Sequence, residues 1–174
     1  MISLKKNIFA SIMIMAMCFV MAGCGVQKSE ELDTYKTNMS NFYDKLAYYD
    51  NAINSIDTSS EGAKAELLGY LDEMNEEYKK MAEYEIPDQF SGISDIAKEA
   101  ADYMQMANEF YHQAYDGDFD EDSEALASQY YQRANSRAHV ILQVLHGEVP
   151  SGEGVTVTTE ESYQFSTVAT SSEE

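Results

Sequence analysis

Tyr35-Lys36-Thr37-Asn38-Met39-Ser40-Asn41-Phe42-Tyr43-Asp44-Lys45-Leu46-Ala47-Tyr48-Tyr49-Asp50-Asn51-Ala52-Ile53 carries its apolar residues at alternating intervals of four and three. Tyr35, Met39, Phe42, Leu46, Tyr49 and Ile53, continued by Ile56, share one face of a helix of ~3.6 residues per turn. They share no face of a strand, whose side chains alternate every second residue. The stretch therefore predicts an amphipathic helix with a buried seam, and the chain repeats the pattern three times.

Downstream, Ala63, Leu67, Leu71, Met74, Tyr78 and Met81 form a second seam. Thr58 and Glu61 ahead of it stand at capping-box spacing. Pro87 closes that stretch, because a residue before proline is pushed out of helical geometry. A third seam runs through Ile93, Ile96, Ala100, Tyr103, Ala107, Phe110 and Ala114, and a fourth through Ala127, Tyr131, Ala134, Ala138, Ile141 and Leu145. Asp122 or Ser123 is placed to cap the fourth helix, Gly147 to end it, and Pro150 to prevent its continuation. Four such helices with short connectors predict an all-α domain over residues 32–149, an antiparallel four-helix up-down-up-down bundle. Residues 150–174 are rich in Ser, Thr, Gly and Glu, and read as a disordered acidic tail. Val155-Thr156-Val157-Thr158-Thr159 offers the alternative of a strand added to a partner's sheet edge.

Upstream of the helices, Lys5 and Lys6 precede an apolar run from Ile8 to Met21, shorter than the ~20 residues of a membrane span. The run ends in Met21-Ala22-Gly23-Cys24. This segment resembles the bacterial lipoprotein signal, whose lipobox is an aliphatic residue, two small residues and cysteine; Met21 stands where leucine is commoner. The resemblance covers residues 1–24. It implies a signal peptide over residues 1–23, a diacylglyceryl group on the Cys24 sulfur, and a spacer over residues 24–31. It also implies a mature chain held at the outer face of the cell membrane. Two acyl chains give stable anchoring, at ~0.8 kcal/mol per buried methylene. Cys18 would leave with the signal and Cys24 would be acylated, leaving no free thiol. An uncleaved membrane helix is the competing reading. The helical part is similar in pattern to many uncharacterised lipoprotein bundles, a likeness of fold class alone.

Eleven basic residues face thirty-one acidic ones, a formal net charge of −20. So negative a chain repels nucleic-acid phosphates and anionic lipid, and admits cationic partners. Within it, Arg133 and Arg137 are the only arginines, one helical turn apart beside Tyr130 and Tyr131. These four are the candidate ligand-binding residues, because paired guanidinium groups can grip a carboxylate or phosphate with two bonds each. The competing reading is that both arginines pair with acids on neighbouring helices.

For a metal, the weak candidates are Asp116, Asp118, Asp120 and Asp122, since alternating aspartates can offer oxygen ligands to calcium. An EF-hand frame fails from either start: Asp116 puts Glu121 and Ala127 at the turn and bidentate positions, and Asp118 puts Ser123 and Gln129 there. Glu109 and His112 have di-iron spacing, but Ser136 and Gln143 occupy the matching positions before His139 and His146. A surface Glu109–His112 pair is the simpler expectation. No cofactor motif and no nucleophile-base pattern appears in the mature chain. The leading expectation is a non-catalytic binding or scaffold lipoprotein for a protein partner at the cell surface. A small-ligand or divalent-cation binder is the alternative.

Overall fold

The structure, a computed structural model, describes residues 30–152 together with Val155 and Val157. The expected signal segment, Cys24, most of the expected spacer and most of the expected tail lie outside the described residues. Four α-helices account for most of the rest: α1 Glu30–Asn54, α2 Ala63–Ala82, α3 Ser94–Tyr115 and α4 Glu121–Leu145. A short 3-10 helix, Asp88–Ile93, leads into α3. Among the described residues there is no strand, and no helix is long and apolar enough to cross a membrane.

All six seam residues of α1 from Tyr35 to Ile53 are buried, and so are all six of α4. In α2, Leu67, Leu71, Met74, Tyr78 and Met81 are buried, joined by Leu68, Asn75 and Glu77. The apolar side chains among these form one hydrophobic cluster shared by the four helices. Each large apolar side chain sealed in it, such as Phe42 at 0% exposure, contributes about 1.5–3 kcal/mol relative to an exposed position. Ala100, Ala107 and Ala114 on α3 and Ala127 and Ala134 on α4 are fully buried, and this pair of helices has the most extensive interface. Small side chains let the two axes close on each other.

Helix α3 departs from its expected seam. Ala100, Ala107 and Ala114 hold their places, but Ala97, Met104 and Tyr111 take the inward positions beside them. Ile96, Tyr103 and Phe110 turn to the half-buried edge instead. An alanine every seventh residue fixes the middle of the face. It does not decide whether the residue three or four further on turns inward.

Polar ties cross between all four helices. Lys45 on α1 donates to Glu77 on α2 at 2.8 Å. Tyr43 and Tyr131 join α1 to α4, donating to the Ala138 carbonyl and to Asp50 at 2.7 Å each. Tyr78 on α2 donates to Asn135 on α4 at 2.7 Å, and Asn108 on α3 donates to Asp72 on α2 at 2.8 Å.

The helix ends correct three local expectations. The Thr58–Glu61 box does not form: no side chain caps α2, whose first residue follows Gly62. Asp57 instead accepts from the backbone and hydroxyl of Ser59, turning the chain before the helix begins. Helix α2 stops at Ala82, well before Pro87, with the Glu83 amide donating to the Lys80 carbonyl and the Tyr84 amide to that of Met81. Asp120, rather than Asp122 or Ser123, caps α4. Gly147 does close α4: at φ 73° it donates to Val144 while the Glu148 amide reaches Gln143, a Schellman motif. Beyond Pro150, where the tail was expected to begin, Ser151 donates to the Gln143 side chain and Gly152 sits against Val140.

Candidate functional site

The half-exposed stripe that α3 turns outward meets a matching stripe on α4. Tyr130 stacks on Phe110 with ring centroids 5.6 Å apart and planes 2° from parallel. Tyr103 lies 6.2 Å from the same Tyr130 ring. Arg133 places its guanidinium carbon 5.5 Å from the centre of Tyr130 and 5.8 Å from that of Tyr103. Arg137 sits 5.9 Å from Tyr103 on the other side. Met106 and Leu126, 41% and 39% exposed, belong to the same α3 and α4 surface stripes by their helical spacing. Three rings, two cations and two aliphatic side chains thus make a mixed face on an otherwise acidic molecule.

The two arginines have different jobs. The Arg137 side chain is largely buried and its Nε donates to Glu99 on α3 at 2.6 Å, a register tie. Arg133 is exposed, and no ion pair to it occurs among the described residues. Its cation rests on ring faces, worth about 0.5–1 kcal/mol per contact at an exposed site. That leaves guanidinium N–H groups directed at solvent. Of the two, Arg137 holds Glu99 through Nε and Arg133 is the one exposed to solvent.

The two tyrosines also part company. Tyr130 lies on the face, while Tyr131 points into the core and donates to Asp50. Burial pushes the Tyr131 phenol well above its ordinary pKa, and Asp50 beside it adds to the rise. Burial likewise raises the Asp50 carboxyl, against the opposing pull of the Tyr131 hydrogen bond. Tyr131 is therefore a core residue. Sequence reasoning missed Tyr103, Phe110, Met106, Leu126 and Glu99; the available signal was that Tyr103 and Phe110 repeat at seven residues, as Tyr130 and Arg137 do.

The acidic loop disperses. Asp120 uses both oxygens on the amides of Asp122 and Ser123 and on the Ser123 hydroxyl. These bonds hold its carboxyl below the ordinary range. Asp116 binds His112 Nδ1 at 2.9 Å, while Asp118 and Asp122 are exposed. Among the described residues no three His, Cys, Asp or Glu side chains are grouped to hold a metal ion. His112 does not pair with Glu109, which accepts from Gln105 instead. Its Nε2 meets Asp72 on α2 at 3.0 Å, so both ring nitrogens face carboxylates. Burial pulls the His112 pKa down, but the bonds to Asp116 and Asp72 outweigh it and the net shift is upward. No protein-family model matches the chain, and neither a curated protein nor a solved structure matches it.

Proposed function

We propose that this chain is an extracytoplasmic lipoprotein, anchored through Cys24, that binds a protein of the cell envelope without catalysing a reaction. The observation that carries the binding role is Arg133, exposed across Tyr103 and Tyr130 with no ion pair among the described residues. In a chain with thirty-one acids, a cation resting on aromatic rings is suited to an outside carboxylate. Arginine and tyrosine are also the side chains that dominate binding hot spots.

The scaffold for this face is an antiparallel up-down-up-down bundle. Cross-helix pairs support that arrangement. Along α1 and α2, Phe42 meets Tyr78 and Tyr49 meets Tyr70, so one number rises as the other falls. Along α3 and α4, Glu99 meets Arg137, Tyr103 meets Tyr130 and Tyr115 meets Glu124. Along α1 and α4, Tyr43 meets Ala138 and Asp50 meets Tyr131.

The test has two parts. Mass spectrometry of the mature protein should find Cys24 as the diacylated first residue, and a Cys24→Ala chain should be released from the membrane fraction. Recovery of an envelope partner by the native protein should fall at least tenfold in Arg133→Ala while helicity is unchanged. Retention of the partner by Arg133→Ala would remove this face from the proposal.

A further inference from the structure

The α1–α2 side of the bundle carries a second group of rings. Tyr48 on α1 is 61% exposed, the most exposed aromatic side chain among the described residues. Its ring meets that of Tyr49 edge-on at 5.3 Å, and Tyr49 lies 6.4 Å from Tyr70 on α2. Lys45, one turn before Tyr48, reaches Glu77 across the groove, so this flank of α1 faces α2. Carboxylates of α2 border the rings. The Tyr70 hydroxyl donates to Glu66 at 3.5 Å. Burial and then Glu73 push the Tyr49 phenol up to about 12, and burial followed by Glu66, Tyr48 and Glu73 raises Tyr70. The phenols therefore stay neutral at physiological pH, with carboxylates beside them.

No cation of the chain serves this group among the described residues. On the α3–α4 face, Arg133 and Arg137 set their guanidinium groups over Tyr103 and Tyr130. On the α1–α2 face, Lys45 and Lys80 both bond to the buried Glu77, at 2.8 Å each. Lys79 is held by Glu76. Among the described residues no ion pair reaches Glu66 or Glu73, and no cation lies over Tyr48, Tyr49 or Tyr70. Glu66 and Glu73 are exposed on one face of α2 with Tyr70 between them, seven residues and so about 10 Å apart along the axis.

We propose that this groove is a docking surface for a lysine-bearing segment of a second protein, its ammonium groups pairing with Glu66 and Glu73 and its side-chain stems lying on Tyr48 and Tyr70. Ring faces attract a cation through their quadrupole, and the carboxylates beside them add to the attraction. Two carboxylates set apart suit two compact ammonium groups, each on a long apolar stem that can cover a ring. A net charge of −20 draws such a segment in from a distance. The surface is separate from the Arg133 face and stands or falls without it.

The experiment titrates the capped tetralysine peptide into the full chain, held in a neutral detergent at about 0.15 M salt, where charges beyond about 8 Å are screened. The ring-carbon NMR signals of Tyr48 and Tyr70 should shift together with a single Kd. Glu66→Gln with Glu73→Gln should raise that Kd about fivefold or more. Asp118→Asn with Asp122→Asn removes the same charge from exposed positions in and after the α3–α4 loop, and should leave it nearly unchanged. Tyr48→Leu, with every acid kept, should raise it about threefold. Helicity should match the wild type in all three variants. Equal losses in the two double variants would reduce the effect to diffuse attraction and overturn the proposal. So would unmoved Tyr48 and Tyr70 signals, or a Kd indifferent to Tyr48→Leu. Tetramethylammonium bound as tightly as tetralysine would make the groove a site for a small organic cation and overturn the protein segment as its occupant.

Discussion

His112 is held by two carboxylates from different places, Asp116 one turn on and Asp72 on α2. Both ring nitrogens can donate only in the imidazolium, so the geometry favours the protonated form. A pKa raised in the folded state gives stability that is fully present below the unfolded value of about 6.5 and lost as pH rises through the folded value. Asp72 works in the opposite sense. Burial raises its carboxyl, but hydrogen bonds from Asn108 and His112 bring the net shift below the ordinary value. Its contribution is present at neutral pH and lost as pH falls into the carboxylate range. The contact is strongest between the two titrations. Because both aspartates are over half exposed, its share is under about 1 kcal/mol. The thermal midpoint of the wild type should fall by a few degrees between about pH 6 and pH 8, and His112→Gln should flatten that slope. An equal slope in the variant would show that the pair contributes nothing.

At the scale of the element, what the sequence revealed depended on how many answers it left open. The α1 seam was legible because Tyr35, Met39, Phe42, Leu46, Tyr49 and Ile53 stand among polar neighbours at nearly every turn. The α3 seam was only half legible. Its alanines are flanked on one side by Tyr103 and Phe110 and on the other by Met104 and Tyr111, so periodicity alone fits two faces equally. The candidate face is made of the residues that lost that contest, which is why it was hidden inside an apparent core seam. Caps were harder still. Residues 116–122 offer four aspartates, and only backbone geometry selects Asp120, whose φ of −110° and ψ of 106° aim its carboxylate at the following amides. Asp120→Ala should destabilise the fold by about 1 kcal/mol, within the usual range for a lost N-cap. Asp122→Ala should cost much less, since that side chain caps nothing. Denaturant melts of the two variants would settle the assignment, and an equal loss in both would refute it.

For the molecule as a whole, the direction of each helix decides which residues of α3 and α4 lie side by side on the candidate face. If neighbours alternate in direction, every cross-helix pair named above falls into step. The arrangement makes a distance prediction that does not rest on any single side-chain contact. Thr37 on α1 and Glu83 just after α2 are both exposed, and the Phe42–Tyr78 and Tyr49–Tyr70 pairs place them level in an antiparallel arrangement. Their backbones should then be about 10 Å apart, the usual spacing of packed helices. In a parallel arrangement Thr37 would instead lie level with the start of α2 near Ala65, and Glu83 would be eighteen residues on, about 27 Å away at 1.5 Å per residue. Paired nitroxide labels at Thr37→Cys and Glu83→Cys, with Cys18 and Cys24 replaced by serine, distinguish the two by pulsed dipolar spectroscopy. A short separation for Thr37 with Glu83 and a long one for Thr37 with Ala65→Cys is the expected pattern. The reverse pattern would overturn the bundle topology.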